Sequence, residues 1–157
     1  MRFSRVFVPM AKLTIVSFNV RGLNSPVKRL AIMLEATGWY VALLQETHLL
    51  YRDVYRLRSP FFPVQEFSSS PKKIGGVAIL LSRRSQGSLC PKVAEIRSRL
   101  LAYRLFLGGH SFTLATLFGP NTDQEAFLLQ AVAAVAHTPD DKLLVGSNLN
   151  VVFNNDL

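Results

Sequence analysis

A layered α/β fold, with helices packed on sheet, is what three features of this sequence predict. A strand-like, a helix-like and a second strand-like segment follow one another from residue 13 to residue 46; the middle of the chain alternates short apolar runs with turn residues; and the pair Gly108-Gly109 joins two apolar runs. Strand, helix, strand in that order is the unit of a sheet covered by helices. The Gly-Gly pair between apolar runs is a hairpin signal.

Each element has its own signal. LTIVSFNV (13–20) is β-branched and aromatic and reads as a buried strand. In the loop RGLNSP, Ser25 is placed to cap a helix whose first residue is Pro26, a position where the missing N–H costs nothing. Val27, Leu30, Ile32, Met33 and Leu34 give a mostly helical spacing, and Gly38 stands where the helix should end. WYVALLQE (39–46) is the second strand. FFPVQEF (61–67) and GGVAILLS (75–82) flank the turn-rich SSSPKKI, and LLAYRLFL (100–107) and SFTLATLF (111–118) flank the Gly pair. A helix is expected from Asp123 to His137, capped by Asn121 or Thr122, with Phe127, Leu128, Val132 and Val135 on its apolar side. KLLVG (142–146) is a short last strand that runs into SNLNVVFNNDL.

Size and composition bound the function. The chain has 157 residues, 49% hydrophobic and 18% charged, which fits one globular domain rather than two or a disordered chain. No apolar run reaches the ~18 residues of a membrane span, so no membrane partner is expected. The basic, apolar start MRFSRVFVPM lacks the continuous apolar core of a secretion signal, which leaves a nuclear or cytoplasmic location. A single cysteine, Cys90, excludes a disulfide framework and a multi-cysteine metal site within the chain. The net charge of +8 favours a polyanionic partner. Six basic residues (Arg2, Arg5, Lys12, Arg21, Lys28 and Arg29) precede the first acid, Glu35. Arg21, Lys28, Lys72, Lys73, Arg83 and Arg84 are candidates to line a nucleic-acid groove or, equally, to form a solvated basic surface.

Polar residues follow the apolar runs at four predicted strand ends: Asn19, Gln45-Glu46, Asn121, and Asn148 with Asn150. Strand ends are where α/β enzymes place reactive groups. Phosphodiester hydrolysis needs such a set, because a carboxylate holds a hard Mg²⁺ ion and amides orient the phosphate. Spacing alone leaves two readings for each residue. Glu46 is a metal-holding carboxylate or a solvated acid just past the core. His48 is a ligand or a surface histidine. Asn148 and Asn150 face one way on an extended strand, or they form a turn.

The stretches SFNVRGLNSPVKR, LLQETHL, GGVAILLS, FTLATLFGPN and LLVGSNLN, in this order and spacing, resemble the exonuclease III-like endonuclease/exonuclease/phosphatase superfamily. The likeness is nearest to the apurinic-endonuclease-like domains of vertebrate non-LTR retrotransposons. It runs over residues 12–157, with 1–11 as an extension. It implies a four-layer α/β sandwich, two sheets face to face with helices outside. It also implies DNA as partner and Mg²⁺ (or Mn²⁺) as the sole cofactor. Glu46 is then the principal metal ligand, Asn19 a metal or phosphate contact, and Asn150 a contact to the scissile phosphate. Asn121, Arg21 and Lys28 lie along the DNA path.

Three departures from the family pattern stand out. The family's G-D-F-N motif reads Ser147-Asn148-Leu149-Asn150. An amide at Asn148 cannot accept a proton from water, and losing a general base slows a reaction by about 10²–10⁴. The family's active-site tyrosine is Phe118, which removes a donor to a charged phosphate, a loss of about 1.5–3 kcal/mol. The family's later motifs, ending in Ser-Asp-His, have no position before Leu157, and none of the three histidines, 48, 110 and 137, matches the terminal one. The sequence therefore implies an incomplete sandwich lacking its last strands. Its apolar sheet surface and open edges would be exposed, and its solubility poor. Two functions are compatible with it: an impaired Mg²⁺-dependent DNA endonuclease, and a non-catalytic nucleic-acid-binding remnant of a mobile element.

Overall fold

A computed structural model describes residues 13–35, 38–85, 87–136 and 142–150. The expected N-terminal extension, His137 and the tail after Asn150 lie outside these residues. The chain forms two four-stranded sheets. The first contains β1 (Ile15–Asn19), β2 (Val41–Gln45), β3 (Val64–Ser68) and β4 (Val77–Leu81) in the order β1-β2-β4-β3. The second contains β5 (Ser88–Ile96), β6 (Leu100–Leu107), β7 (His110–Phe118) and β8 (Lys142–Asn148) in the order β5-β6-β7-β8. Each sheet has one parallel pair, β1 with β2 and β7 with β8, and is otherwise antiparallel.

The layers follow from where the apolar side chains go. Alternate residues of β2 and β4 (Val41, Leu43, Val77, Ile79, Leu81) pack against Leu101, Leu105, Leu114 and Phe118 of the other sheet. The opposite faces of the same strands (Ala42, Leu44, Ala78, Leu80) pack against Ile32 of α1 (Pro26–Glu35), with Leu49, Leu57 and Phe62. Strands buried on both faces read as unbroken apolar runs, which is why VALL and VAILL show no alternation. Ala102, Ala115 and Leu117 on the outer face of the second sheet receive Ala131 and Val135 of α2 (Gln124–Val135). The result is helix, sheet, sheet, helix, the four-layer sandwich the sequence predicts.

The N-terminal cap of α1 is as expected: Ser25 Oγ accepts from the Lys28 N–H at 3.4 Å, with Pro26 opening the helix. The expected end at Gly38 adjoins residues 36–37, outside the described residues. Gly108 and Gly109, both at positive φ, close the β6–β7 hairpin with Leu107 opposite His110. Positive φ at both central residues matches the twist of the flanking strands, and glycine supplies it without strain.

Several points differ from the sequence reading. The helical spacing of α1 holds, but Val27, Leu30 and Leu34 are 77%, 61% and 62% exposed, because they recur on one stripe while Ile32 and Met33, on the other side, face the sheet. Val132 is exposed for a similar reason, since Ala131 and Val135 define the buried line of α2. Neither Asn121 nor Thr122 caps α2: Asp123, at φ 54°, holds that place without a side-chain bond. The strand β5 was not foreseen from the sequence. Its burial pattern is irregular and its pairing to β6 is broken by register shifts at Lys92, which hides any period-2 signal. The exposed edge does follow expectation. Among the described residues β8 pairs only with β7, and Leu143, Leu144 and Val145 are 43%, 36% and 52% exposed, beside the other edge strand β1.

Candidate active site

Strand direction brings the polar residues together. β1 and β2 run parallel, so Asn19 lies opposite Gln45. β7 and β8 run parallel, so Phe118 lies opposite Asn148. The carboxyl ends of these four strands share one end of the sandwich. A buried tether aligns the sheets there: Gln45 Nε2 donates to Thr116 Oγ1 at 3.0 Å, and Thr116 Oγ1 donates to the Leu44 carbonyl at 3.1 Å. Gly146 allows the close approach. A Cβ there would stand 2.7 Å from Ser17 Oγ and 2.8 Å from Leu43 Cβ.

Glu46 is the centre of the site. Its Oε1 accepts from Asn19 Nδ2 at 2.8 Å and from Asn148 Nδ2 at 3.3 Å. Its Oε2 lies 3.6 Å from His48 Nε2. Its backbone, at φ 56°, is clamped from two sides. The N–H groups of Gly22 and Leu23 donate to the Glu46 and Thr47 carbonyls, and those of Thr47 and His48 donate to the Gly76 and Gly75 carbonyls. A carboxylate on so constrained a loop is oriented before any ligand arrives.

The two asparagines of SNLN are partly the strand reading and partly the turn. Asn148 ends β8 and reaches Glu46, while Asn150, at φ 52°, has left the extended conformation and donates its N–H to Asn148 Oδ1 at 3.2 Å. The two side chains therefore do not share a strand face. Asn150 Nδ2 instead donates to the Gly119 carbonyl at 3.1 Å. Phe118 is buried, and the Arg99 guanidinium lies over its ring at 4.7 Å. Asn121 is exposed in the following bend, and among the described residues no hydrogen bond joins it to Glu46.

The basic candidates divide. Arg21 and Lys28 flank the site, although Lys28 Nζ is occupied by the Arg21 carbonyl at 2.9 Å. Lys72 and Lys73 are in the β3–β4 loop, whose strands meet at Ser68 and Val77, level with Gln45. Arg83 and Arg84 follow Leu81, which lies opposite Val41, so they sit at the far end of the sheet and cannot line the same groove. Arg99 was missed from the sequence. It sits in the β5–β6 turn, a segment with no legible strand before it. Burial lowers its pKa, an effect Glu46 opposes.

Mg²⁺ is commonly held by one or two carboxylates and several waters. The donor set here reaches only the lower limit of that requirement: Glu46 offers one carboxylate, and among the described residues no group of three His, Cys, Asp or Glu side chains converges. Asn19 and Asn148 turn their amide NH₂ groups toward Glu46, which satisfies its charge with donors. An open surface hollow lined by Tyr55, Arg58, Pro60, Phe62 and Phe67 lies on the outer flank of the first sheet, away from Glu46.

A four-layer α/β sandwich with a carboxylate and three amides at its strand ends is the class this chain defines. No protein-family model matches the sequence. Solved structures of the same fold do. The chain superposes on D. rerio TDP2 complexed with a single-strand DNA product, with TM-score 0.68, 19% identity, 91% of this chain and 62% of that one. On the endonuclease domain of TRAS1, a telomere-specific non-LTR retrotransposon, the values are 0.63, 12%, 90% and 61%. On the Xenopus laevis APE2 catalytic domain they are 0.61, 18%, 87% and 58%. The chain thus spans about three fifths of the length of these structures. Among the described residues no helix is long and apolar enough to cross a membrane.

Proposed function

We propose that this chain is part of a Mg²⁺- or Mn²⁺-dependent phosphodiesterase domain acting on DNA. In this reading it belongs to the exonuclease III-like endonuclease/exonuclease/phosphatase superfamily and to its retrotransposon branch, with hydrolysis impaired at Asn148. The observation that carries it is the convergence on one Glu46 oxygen of Asn19 and Asn148, 27 and 102 residues away in sequence. The stretches GLNSPVKR and LLQETHL, and the fold shared with a retrotransposon endonuclease domain, support the branch.

The geometry supports a role for each residue. Glu46 would hold the metal, which supplies Lewis-acid polarisation of a phosphoryl oxygen. Asn19 fixes the Glu46 carboxylate. Asn150, on the same loop end as Asn148, supplies an amide donor for the phosphate once it leaves the Gly119 carbonyl. Water attack on phosphorus needs an acceptor for its proton. Asn148, bonded to Glu46, cannot serve, because its NH₂ donates and its Oδ1 is taken by the Asn150 N–H. Among the described residues the His48 imidazole, 3.6 Å from Glu46 Oε2, is the nearby side chain this reading assigns to that task.

A second reading, a nucleic-acid-binding remnant without catalysis, is favoured by the same Asn148–Glu46 bond. Supercoiled-plasmid nicking with Mg²⁺ separates them. The proposal expects nicking near background for the native chain, a rise for Asn148→Asp, and none for Glu46→Ala. Salt-sensitive DNA binding with no nicking by either the native chain or Asn148→Asp supports the remnant. Nicking that survives Glu46→Ala contradicts the site assignment. Vigorous Glu46-dependent nicking by the native chain contradicts the impairment.

A further inference from the structure

Arg99 has a surrounding that no role assigned so far explains. Its backbone is pinned on both sides of the β5–β6 turn: its N–H donates to the Ile96 carbonyl at 2.8 Å, and its carbonyl accepts from the Phe118 N–H at 2.7 Å. Its guanidinium carbon lies 4.7 Å from the centroid of the Phe118 ring, well within the range of a cation–π contact. Nη1 donates to the Gly119 carbonyl at 3.1 Å. That same oxygen accepts Asn150 Nδ2 at 3.1 Å, so the fork of Arg99 and the amide of Asn150 converge on one point.

A guanidinium carries five N–H donors and accepts nothing. Here it is half-buried, and among the described residues no carboxylate lies within ion-pair distance. Withdrawing a cation from water is costly unless an anion compensates it. The ring beneath it and the carbonyl beside it fix its plane, and the Glu46 carboxylate, beyond ion-pair distance, offsets the effect of burial only in part. A planar fork held in this way suits the oxygens of a phosphodiester, which arginine takes in bidentate fashion.

We propose that Arg99, stacked on Phe118 and adjoining Asn150, is a phosphate-binding residue of the site and takes the non-bridging oxygens of a nucleic-acid backbone phosphate. The inference rests on the DNA reading above and adds a specific anchor to it. Phe118 is then more than a tyrosine that has lost its hydroxyl. It is the platform that orients the cation.

The test is fluorescence anisotropy of a labelled single-stranded oligonucleotide bound to the full chain in EDTA, over a salt series. Arg99→Ala should weaken binding about tenfold or more, as for loss of a charged hydrogen bond, and reduce the salt slope by about 0.7, one phosphate contact on a single strand. Arg99→Lys should keep the slope but not the full affinity. Phe118→Leu should weaken binding several-fold with the slope unchanged, since no charge is removed. Arg83→Ala, at the far end, should change neither. A purely structural role for Arg99 would lower the melting temperature and leave the slope intact, which contradicts the proposal. Native binding that Arg99→Ala leaves within twofold overturns the Arg99 assignment alone. Absence of binding by the native chain at every salt overturns the DNA reading, and this inference with it.

Discussion

Both ends of the sandwich carry basic residues, and they differ in what those residues surround. One end holds Glu46 among Asn19, Asn148 and His48, with Arg99 and Asn150 alongside, on loops cross-linked by backbone hydrogen bonds. The other end has the Gly108-Gly109 hairpin, Arg83, and Arg84 stacked on Tyr40. Basic residues therefore do not locate the site. The direction of the parallel pairs β1–β2 and β7–β8 does, because it sends the carboxyl ends of four strands to one place.

The comparison can be broken most severely at Glu46. Glu46→Ala should remove any Mg²⁺-induced rise in melting temperature, measured by calorimetry with and without the ion. The same substitution logic at the far end, Arg83→Ala, should leave that rise in place. The next effect is mechanical. Gly146→Ala drives a Cβ against Ser17 and Leu43 and should cost about 1–3 kcal/mol in urea denaturation, the usual penalty of overpacking. It should also pull Asn148 away from Glu46. An alanine variant as stable as the native chain would mean that the sheets do not meet closely there.

A smaller effect sharpens a third region, the open side between β3 and β5. Burial raises the pKa of Glu95, but hydrogen bonds from Lys92 and Ser68 outweigh it, so the net shift is downward. A carboxylate with a depressed folded pKa stabilises the fold above its ordinary value of 4.5, and that contribution is lost as pH falls through the lower folded value. Glu95→Gln should therefore lower the neutral plateau of melting temperature slightly and flatten the acid limb, leaving the value at the lowest pH almost unmoved. An unchanged acid limb would remove Glu95 from the account.

Much of this was legible in the sequence, for identifiable reasons. The runs VALL and VAILL announce strands buried on both faces, and Ser25-Pro26 announces the start of α1. Glu46, Asn19 and Asn148 stand out because polar residues end apolar runs. Their mutual hydrogen bonds were not legible, since one joins the ends of paired strands 27 residues apart and the other crosses between the sheets over 102 residues. The buried side of α1 was not legible because its apolar residues occupy two stripes and only tertiary packing selects one. Arg99 was hidden because its partners, Phe118 and Gly119, are about 20 residues away. The Asn148–Asn150 pair was ambiguous between strand and turn, and each description holds for one of the two residues.

The central claim is that Glu46 is a metal-holding carboxylate quietened by amide donors, and one titration addresses it most directly. Mg²⁺ binding would be measured by calorimetry for the native chain, Asn148→Asp and Glu46→Ala. The account predicts weak binding by the native chain, tighter binding by Asn148→Asp as a second carboxylate replaces a donor, and none by Glu46→Ala. Equal binding by all three would contradict it.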